Sequence, residues 1–146
     1  MAIRKAEKGD IESVVSLGVL LWGDHGKEDL RREFSRLIAS DDGCIFVMFE
    51  GEAPVGFAQC QLRHDYVEGT ESSPVGYLEG IFVKEEVRRK GYGGELLRVC
   101  EKWAGEKGCT EFASDCEFGN EDSFNFHMAM GFAEANRVIC FSKELH

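Results

Sequence analysis

The chain has 146 residues, 43% hydrophobic and 30% charged, with a formal net charge of −10. That length suits one domain over residues 1–146, able to bury roughly 70% of its unfolded surface. The acidic balance argues against nucleic acid and leaves cationic small molecules open, and no apolar run approaches the ~18 residues of a membrane span. With no signal-peptide apolar core at Met1–Glu7, a cytoplasmic protein without a membrane partner is expected.

Ala2 to Arg4 reads as a first strand and Gly9-Asp10 as a turn, with Asp10 as N-cap. Ile11, Val14, Val15, Leu17, Gly18 and Leu21 then recur at helical spacing. Trp22-Gly23-Asp24-His25-Gly26 breaks that helix. A second amphipathic helix from Lys27 to Ser40 would bury Leu30, Phe34, Leu37 and Ile38. Cys44 to Phe49 and Val55 to Leu62 are apolar strands joined by a hairpin signal at Glu50-Gly51-Glu52-Ala53-Pro54. Arg63 to Pro74 is a polar loop carrying His64, Asp65 and Tyr66.

The stretch from Val75 to Leu97 organises the rest. Its first nine residues alternate as a strand, with Tyr77, Glu79, Ile81 and Val83 facing one way and Leu78, Gly80 and Phe82 the other. A charged connector with Arg88, Arg89 and Lys90 follows, then Gly91, Tyr92, Gly93 and Gly94, then a helix over about Gly93 to Lys107. Leu96, Leu97, Cys100, Trp103 and Ala104 form its apolar stripe, and Gly108 stops it. Strand, glycine-rich turn and helix N-terminus make an anion cradle. Glycine permits close backbone approach, and the helix offers unpaired N–H groups and a positive dipole end. The spacing lacks the dinucleotide-binding G-x-G-x-x-G directly after the strand.

Thr110 to Cys116 reads as another strand. Asp122 is placed as the cap of a short helix ending at Met130, Gly131-Phe132 stops it, and Arg137 to Lys143 makes a last strand. The order is β-α-α-β-β-β-α-β-α-β, an α/β chain with a mixed sheet and helices on its faces. None of the six cysteines forms C-x-x-C, and most sit among apolar residues, as small buried hydrophobes do in a reducing compartment. No metal site is expected.

Arg88-x-x-Gly91-x-Gly93, after an apolar strand and before an amphipathic helix, resembles the acyl-CoA-binding signature of the GNAT N-acetyltransferases. Together with the element order and Asn120…Gly131-Phe132, the resemblance covers essentially the whole chain. Within that superfamily the chain is similar to aminoglycoside 6′-N-acetyltransferases. Four stretches carry that closer match: Leu21-Trp22; Arg63 to Val67 with Ser72 to Val75; Leu78 to Val83; and Ala113-Ser114-Asp115. The resemblance implies acetyl transfer from acetyl-CoA to the 6′-amine of an aminoglycoside, conferring resistance, by a homodimer. It places the acyl and pantetheine arm on the backbone of Ile81, Phe82 and Val83. It also places pyrophosphate on Arg88, Arg89, Lys90, Gly91, Tyr92, Gly93 and Gly94, and a further cofactor contact on Asn120. Drug contacts fall on Trp22, Tyr66, Glu79, Asp115 and the position of Asn136, where relatives carry an acid and this chain does not. Many relatives place a tyrosine thiolate donor where His127 stands, so His127 is the candidate acid.

The chemistry sets the requirement. An aliphatic amine of pKa near 10 is only about one part in 10³ neutral at pH 7, and attack on a thioester needs the neutral form. Direct proton transfer to a carboxylate of pKa near 4 is uphill by about six units, roughly 8 kcal/mol. Glu79 therefore acts as base if desolvation raises its pKa or if it works through water; otherwise it positions the ammonium. An alternative reading pairs it with a strand-end lysine or arginine. Asp115 is expected to flank the same cleft, and Trp22 and Tyr66 to offer aromatic faces to a sugar ring or ammonium. Two other functions stay open at this point: a GNAT enzyme for a polyamine or a protein N-terminus, and a non-catalytic acyl-CoA-binding module.

Overall fold

The computed structural model describes residues 1–23 and 26–146, so Asp24 and His25 of the helix-breaking run lie outside the described residues. Strand β1 (Ala2–Lys5) leads through a 3-10 turn (Lys8–Asp10) into α1 (Ile11–Leu21) and α2 (Lys27–Ile38). Then come β2 (Gly43–Glu50), β3 (Ala53–Arg63) and β4 (Val75–Val83), a second 3-10 turn (Glu85–Val87), α3 (Tyr92–Glu106), β5 (Phe112–Ser114) and α4 (Glu121–Ala129). The sheet runs β1-β2-β3-β4-β5, antiparallel except for the parallel β4–β5 pair.

Alternation along the strands sends apolar side chains to both faces. On one face Leu96, Leu97, Cys100, Trp103 and Ala104 of α3 pack on Cys44, Met48, Ala58, Cys60 and Leu78. The α3 stripe is the one its spacing indicates. On the other face Val14, Val15 and Leu17 of α1 and Leu30, Phe34 and Leu37 of α2 close over Ile45, Val47 and Phe57. Each buried Val, Leu, Ile, Phe or Met among them contributes roughly 1.5–3 kcal/mol against exposure. Cys44, Cys60 and Cys100 are buried free thiols, whereas Cys116 and Cys140 are exposed.

Four expectations need correction. Asp10 does stand at the start of α1, but its side chain caps nothing there; it accepts from Glu7 N–H at 2.8 Å and pairs with Arg4. Asn120, not Asp122, caps α4, its Oδ1 accepting from Ser123 N–H at 3.2 Å. The last strand over 137–143 does not form: residues 133–146 carry no helix or strand, and Val138, Ile139 and Phe141 are 71%, 82% and 91% exposed. The segment pairs with neither edge strand of the sheet, β1 or β5, and β5 itself is only three residues long.

The fourth correction lies in β4. Gln59 of β3 faces Gly80, but its neighbour Cys60 faces Leu78, so Glu79 is an extra residue in the ladder. The facing order therefore reverses at Glu79. Leu78, Ile81 and Val83 pack toward α3, while Phe82 packs with the α1–α2 cluster and Gly80 lies against Trp22. Such a bulge bends the strand and re-aims a side chain.

Candidate active site

Two features meet at Glu79. The parallel ladder between β4 and β5 ends at Leu78↔Ser114, so from Glu79 onward β4 leaves its neighbour and one backbone edge is unpaired on that side. The bulge falls on the same residue. Glu79 lines a cavity of about 310 Å³ with Trp22, Leu30, Glu33, Arg36, Gln59 and Gln61. Trp22, just past the end of α1, packs edge-on against Phe57 with centroids 5.8 Å apart and forms part of the core as well as the cavity wall.

Glu79 is half-buried and ion-paired. Arg63 Nη2 donates to both carboxylate oxygens at 3.0 Å and its Nε donates to Oε2 at 3.2 Å. Burial pushes the Glu79 carboxyl above its ordinary range, and the Arg63 hydrogen bonds and charge pull it partly back. Asp115 and Glu33 add like charge that also pushes it up. The arginine pairing weighed from the sequence is thus real, and it coexists with a place in the cavity.

Asp115 lies exposed one residue beyond β5 and accepts a hydrogen bond from the Tyr77 hydroxyl. The Arg63 guanidinium lies 3.4 Å from the Tyr77 ring centroid, so Asp115, Tyr77, Arg63 and Glu79 form one chain of contacts. Tyr66 is 79% exposed and does not line the cavity; its hydroxyl donates to Glu68 Oε2 at 2.8 Å. Asn136 Nδ2 donates to Glu68 Oε1 at 2.6 Å, so Tyr66 and Asn136 meet through a carboxylate that sequence reasoning passed over.

On the α3 side, Ser114 and His127 stand where β4 and β5 part. His127 Nε2 lies 2.7 Å from Ser114 Oγ, and its Nδ1 lies 2.7 Å from the Ser123 carbonyl. A carbonyl can only accept, so Nδ1 carries a proton.

The cradle follows β4. Arg89 takes a left-handed φ of 68° and Gly91 one of 78°, which turns the chain into α3. The N–H groups of Tyr92, Gly93 and Gly94 precede the first intrahelical bond, Glu95 N–H to Gly91 carbonyl, and are open to an anion. A Cβ on Gly91 would meet nothing within 4 Å, so space lies there for a ligand. Gly93 and Gly94 serve another purpose. A Cβ on them would fall 3.0 Å from Phe126 Cε1 and 3.2 Å from Met130 Sδ, so these glycines admit α4 against α3. The basic residues are less mobile than their charge alone implies. Arg88 Nε donates to the Val83 carbonyl at 2.7 Å, and Lys90 lies 3.9 Å from Glu50. Arg88 and Arg89 line a cavity of about 480 Å³ with Glu85 and Asp122. Backbone donors, open space at Gly91 and two guanidinium groups fit the pyrophosphate of acetyl-CoA, and the β4 edge that β5 leaves open over 81–83, apart from the Val83 carbonyl that Arg88 occupies, fits its amide arm.

Sequence reasoning missed Tyr77, Ser114, Glu33 and Gln59 as site residues and named Arg63 without a role. The register of β3 on β4 puts Gln61 opposite Tyr77 and so Gln59, Gln61 and Arg63 on one face, and alternation puts Glu79 on that face two residues beyond Tyr77. Among the described residues no cluster of metal-ligating side chains occurs, and no helix is long and apolar enough to cross a membrane.

This cradle and splayed sheet define an acyl-CoA-dependent transferase, and residues 14–132 match the model of the acetyltransferase (GNAT) family, to which the chain belongs. It is similar to an aminoglycoside N(6′)-acetyltransferase type 1 of Serratia marcescens, 41% identical over 93% of this chain and 94% of that one. The corresponding protein of Stenotrophomonas maltophilia is 39% identical over 98% of this chain and 93% of its own length. The structure of AAC(6′)-Iy in complex with the bisubstrate analogue CoA-S-monomethyl-acetylneamine superposes with a TM-score of 0.95 at 35% identity, covering 99% of this chain and 98% of that one. AAC(6′)-Ih from Acinetobacter baumannii superposes with a TM-score of 0.92, also at 35% identity, over 99% of each chain.

Proposed function

We infer that this protein transfers the acetyl group of acetyl-CoA to the 6′-amino group of aminoglycoside antibiotics. The carrying observation is Glu79 itself. Its carboxylate lines an acid-bearing cavity at the point where β4 bulges and parts from β5, exposing backbone for the acyl arm. A polycation meets Glu79, Asp115 and Glu33 in turn, with the Trp22 wall beside them. The substrate amine binds at Glu79 and gives up its proton there or through a water. Nitrogen attacks the thioester carbon, the C–N bond forms, the C–S bond breaks, sulfur leaves as thiolate, and the second proton of the nitrogen passes to that sulfur or to water. Burial raises the carboxyl of Glu79 and so narrows the proton-transfer gap, which suits a base.

The leaving sulfur is served by Ser114 and His127. His127 donates from Nδ1 to the Ser123 carbonyl, which aims Nε2 at Ser114 Oγ, 2.7 Å away, and this pair relays a proton to the leaving sulfur; the Ser114 hydroxyl also reaches the Leu78 carbonyl at 3.5 Å. Pyrophosphate lies on the cradle of Arg88 to Gly94, and Asn120 serves the cofactor only through the α4 terminus it caps. Tyr66 and Asn136 contact the drug from the outer rim, where Glu68 supplies negative charge.

The reading extends to a cytoplasmic homodimer of one GNAT domain per chain. Exposed Val138, Ile139 and Phe141, with the strand pattern of 137–143 and the open edge of β5, support burial of this segment in a second copy.

A thiol-release assay with acetyl-CoA over tobramycin, kanamycin, spermidine and an N-terminal peptide tests the reading. Turnover is expected with the aminoglycosides; preferred turnover of spermidine or peptide, or cofactor binding without turnover, would overturn it.

A further inference from the structure

Resting on the reading of Glu79 as the amine-binding base, we propose that Arg63 is a positioning residue for acetyl transfer: its guanidinium, laid flat on Tyr77, fixes the plane and the negative charge of the Glu79 carboxylate. Three hydrogen bonds of 3.0–3.2 Å join the two side chains. Each carboxylate oxygen has two lone-pair directions; Oε2 takes two of the Arg63 bonds and Oε1 one, so Oε1 keeps an acceptor position for an amine or a water. The Tyr77 ring, with its centroid 3.4 Å from the guanidinium carbon, packs on Arg63, and the Tyr77 hydroxyl is itself tied to Asp115.

The need for such a group follows from the surroundings. Glu79 sits on a bulge, where no regular ladder dictates its direction. Its carboxylate is faced by Glu33 and Arg36 from α2, by Gln59, Gln61 and Arg63 from β3, by Tyr77 on its own strand and by Asp115 beyond β5. Two of these carry like charge, and burial also opposes ionisation. Arg63 is the cation whose hydrogen bonds offset them. A guanidinium fork suits this better than an ammonium, because it matches the carboxylate plane and stacks on an aromatic face.

The experiment is a kcat/KM pH profile for Arg63→Met and Arg63→Lys beside the parent enzyme, with a 13C titration of the Glu79 side-chain carboxyl in each folded protein. Removing the charge leaves burial and the neighbouring acids in command, so the acidic limb and the carboxyl titration both move to higher pH in R63M. R63K returns the titration toward the parent, while kcat stays several-fold lower because the fork is lost. A carboxyl that titrates at the same pH in R63M and parent overturns the proposal. If that titration moves while Glu79→Gln leaves turnover intact, the positioning of Glu79 stands and its assignment as base fails instead.

Discussion

The indole of Trp22 lies where a side chain on Gly80 would be: a Cβ there would sit 2.4 Å from Trp22 Cζ2. Trp22 is also locked into the aromatic cluster with Phe34 and Phe57, so it cannot move aside without disturbing the core. Gly80→Ala is therefore expected to destabilise the fold by about 1–3 kcal/mol, as overpacking does, and to raise KM for the aminoglycoside by shifting Glu79 next door. Chemical denaturation and steady-state kinetics check both parts.

The cradle glycines differ in purpose, and their variants should differ accordingly. Gly91→Asp puts a side chain and a negative charge into open space beside the phosphate seat, at a φ of 78°. Calorimetry is expected to show weakened acetyl-CoA binding in the folded variant; unchanged affinity would remove the cradle assignment. Gly93→Ala, by contrast, presses on Phe126 of α4 and should disturb the packing that positions His127.

Glu79 and Asp115 are expected to separate in kinetics. Glu79→Gln keeps shape and removes basicity, so kcat and kcat/KM should fall together by about 10²-fold, and the acidic limb of the kcat/KM profile should vanish. Asp115→Asn retains an acceptor for the Tyr77 hydroxyl while removing attraction felt equally in ground and transition states. It should mainly raise KM, with an effect that shrinks at high ionic strength. Collapse of kcat in Asp115→Asn alone would reverse the two roles.

Asp10 offers a stability test away from the site. Its carboxyl is held below the ordinary range, first by the hydrogen bonds of Arg4 and then by Glu7 N–H. A depressed folded-state pKa gives stability that is present above the unfolded value, about 3.9, and is lost as pH falls through the folded one. Asp10→Asn should therefore lower the urea midpoint at pH 7, and the gap to the parent should narrow on acidification below about pH 4.

How much of this was legible in the sequence follows from what each feature depends on. The α3 stripe, the β4 run and the glycine turn are local patterns, and they appear where their periodicities put them. Glu79 and Asp115 were legible as candidates because the family resemblance falls on Leu78 to Val83 and on Ala113-Ser114-Asp115. What was hidden depends on register. One extra residue opposite Gln59 and Cys60 reverses the facing of β4, and alternation read from sequence cannot see it. The Arg63–Glu79 pair depends on the register of β3 against β4, which sets Gln61 opposite Tyr77. Gly93 and Gly94 looked like phosphate glycines because their packing partner, α4, lies more than thirty residues further on. The segment 137–143 has the composition of a strand but finds no partner within the single chain.

That segment yields a separate expectation. Ile139→Lys with Phe141→Lys leaves the described core untouched, since both side chains are exposed. Sedimentation is expected to show a dimer for the parent chain and a monomer for the double variant; an unchanged assembly would assign the dimer contact elsewhere.

The regiochemistry of acetyl transfer tests the central claim most directly. Thiol release is measured side by side on an aminoglycoside bearing a 6′-amine and its analogue bearing a 6′-hydroxyl, with the acetylated position read by NMR. Turnover of the 6′-amine alone, giving a 6′-N-acetyl product, is the predicted result. Equal turnover of the 6′-hydroxyl analogue, or acetate found on another amine, would contradict it.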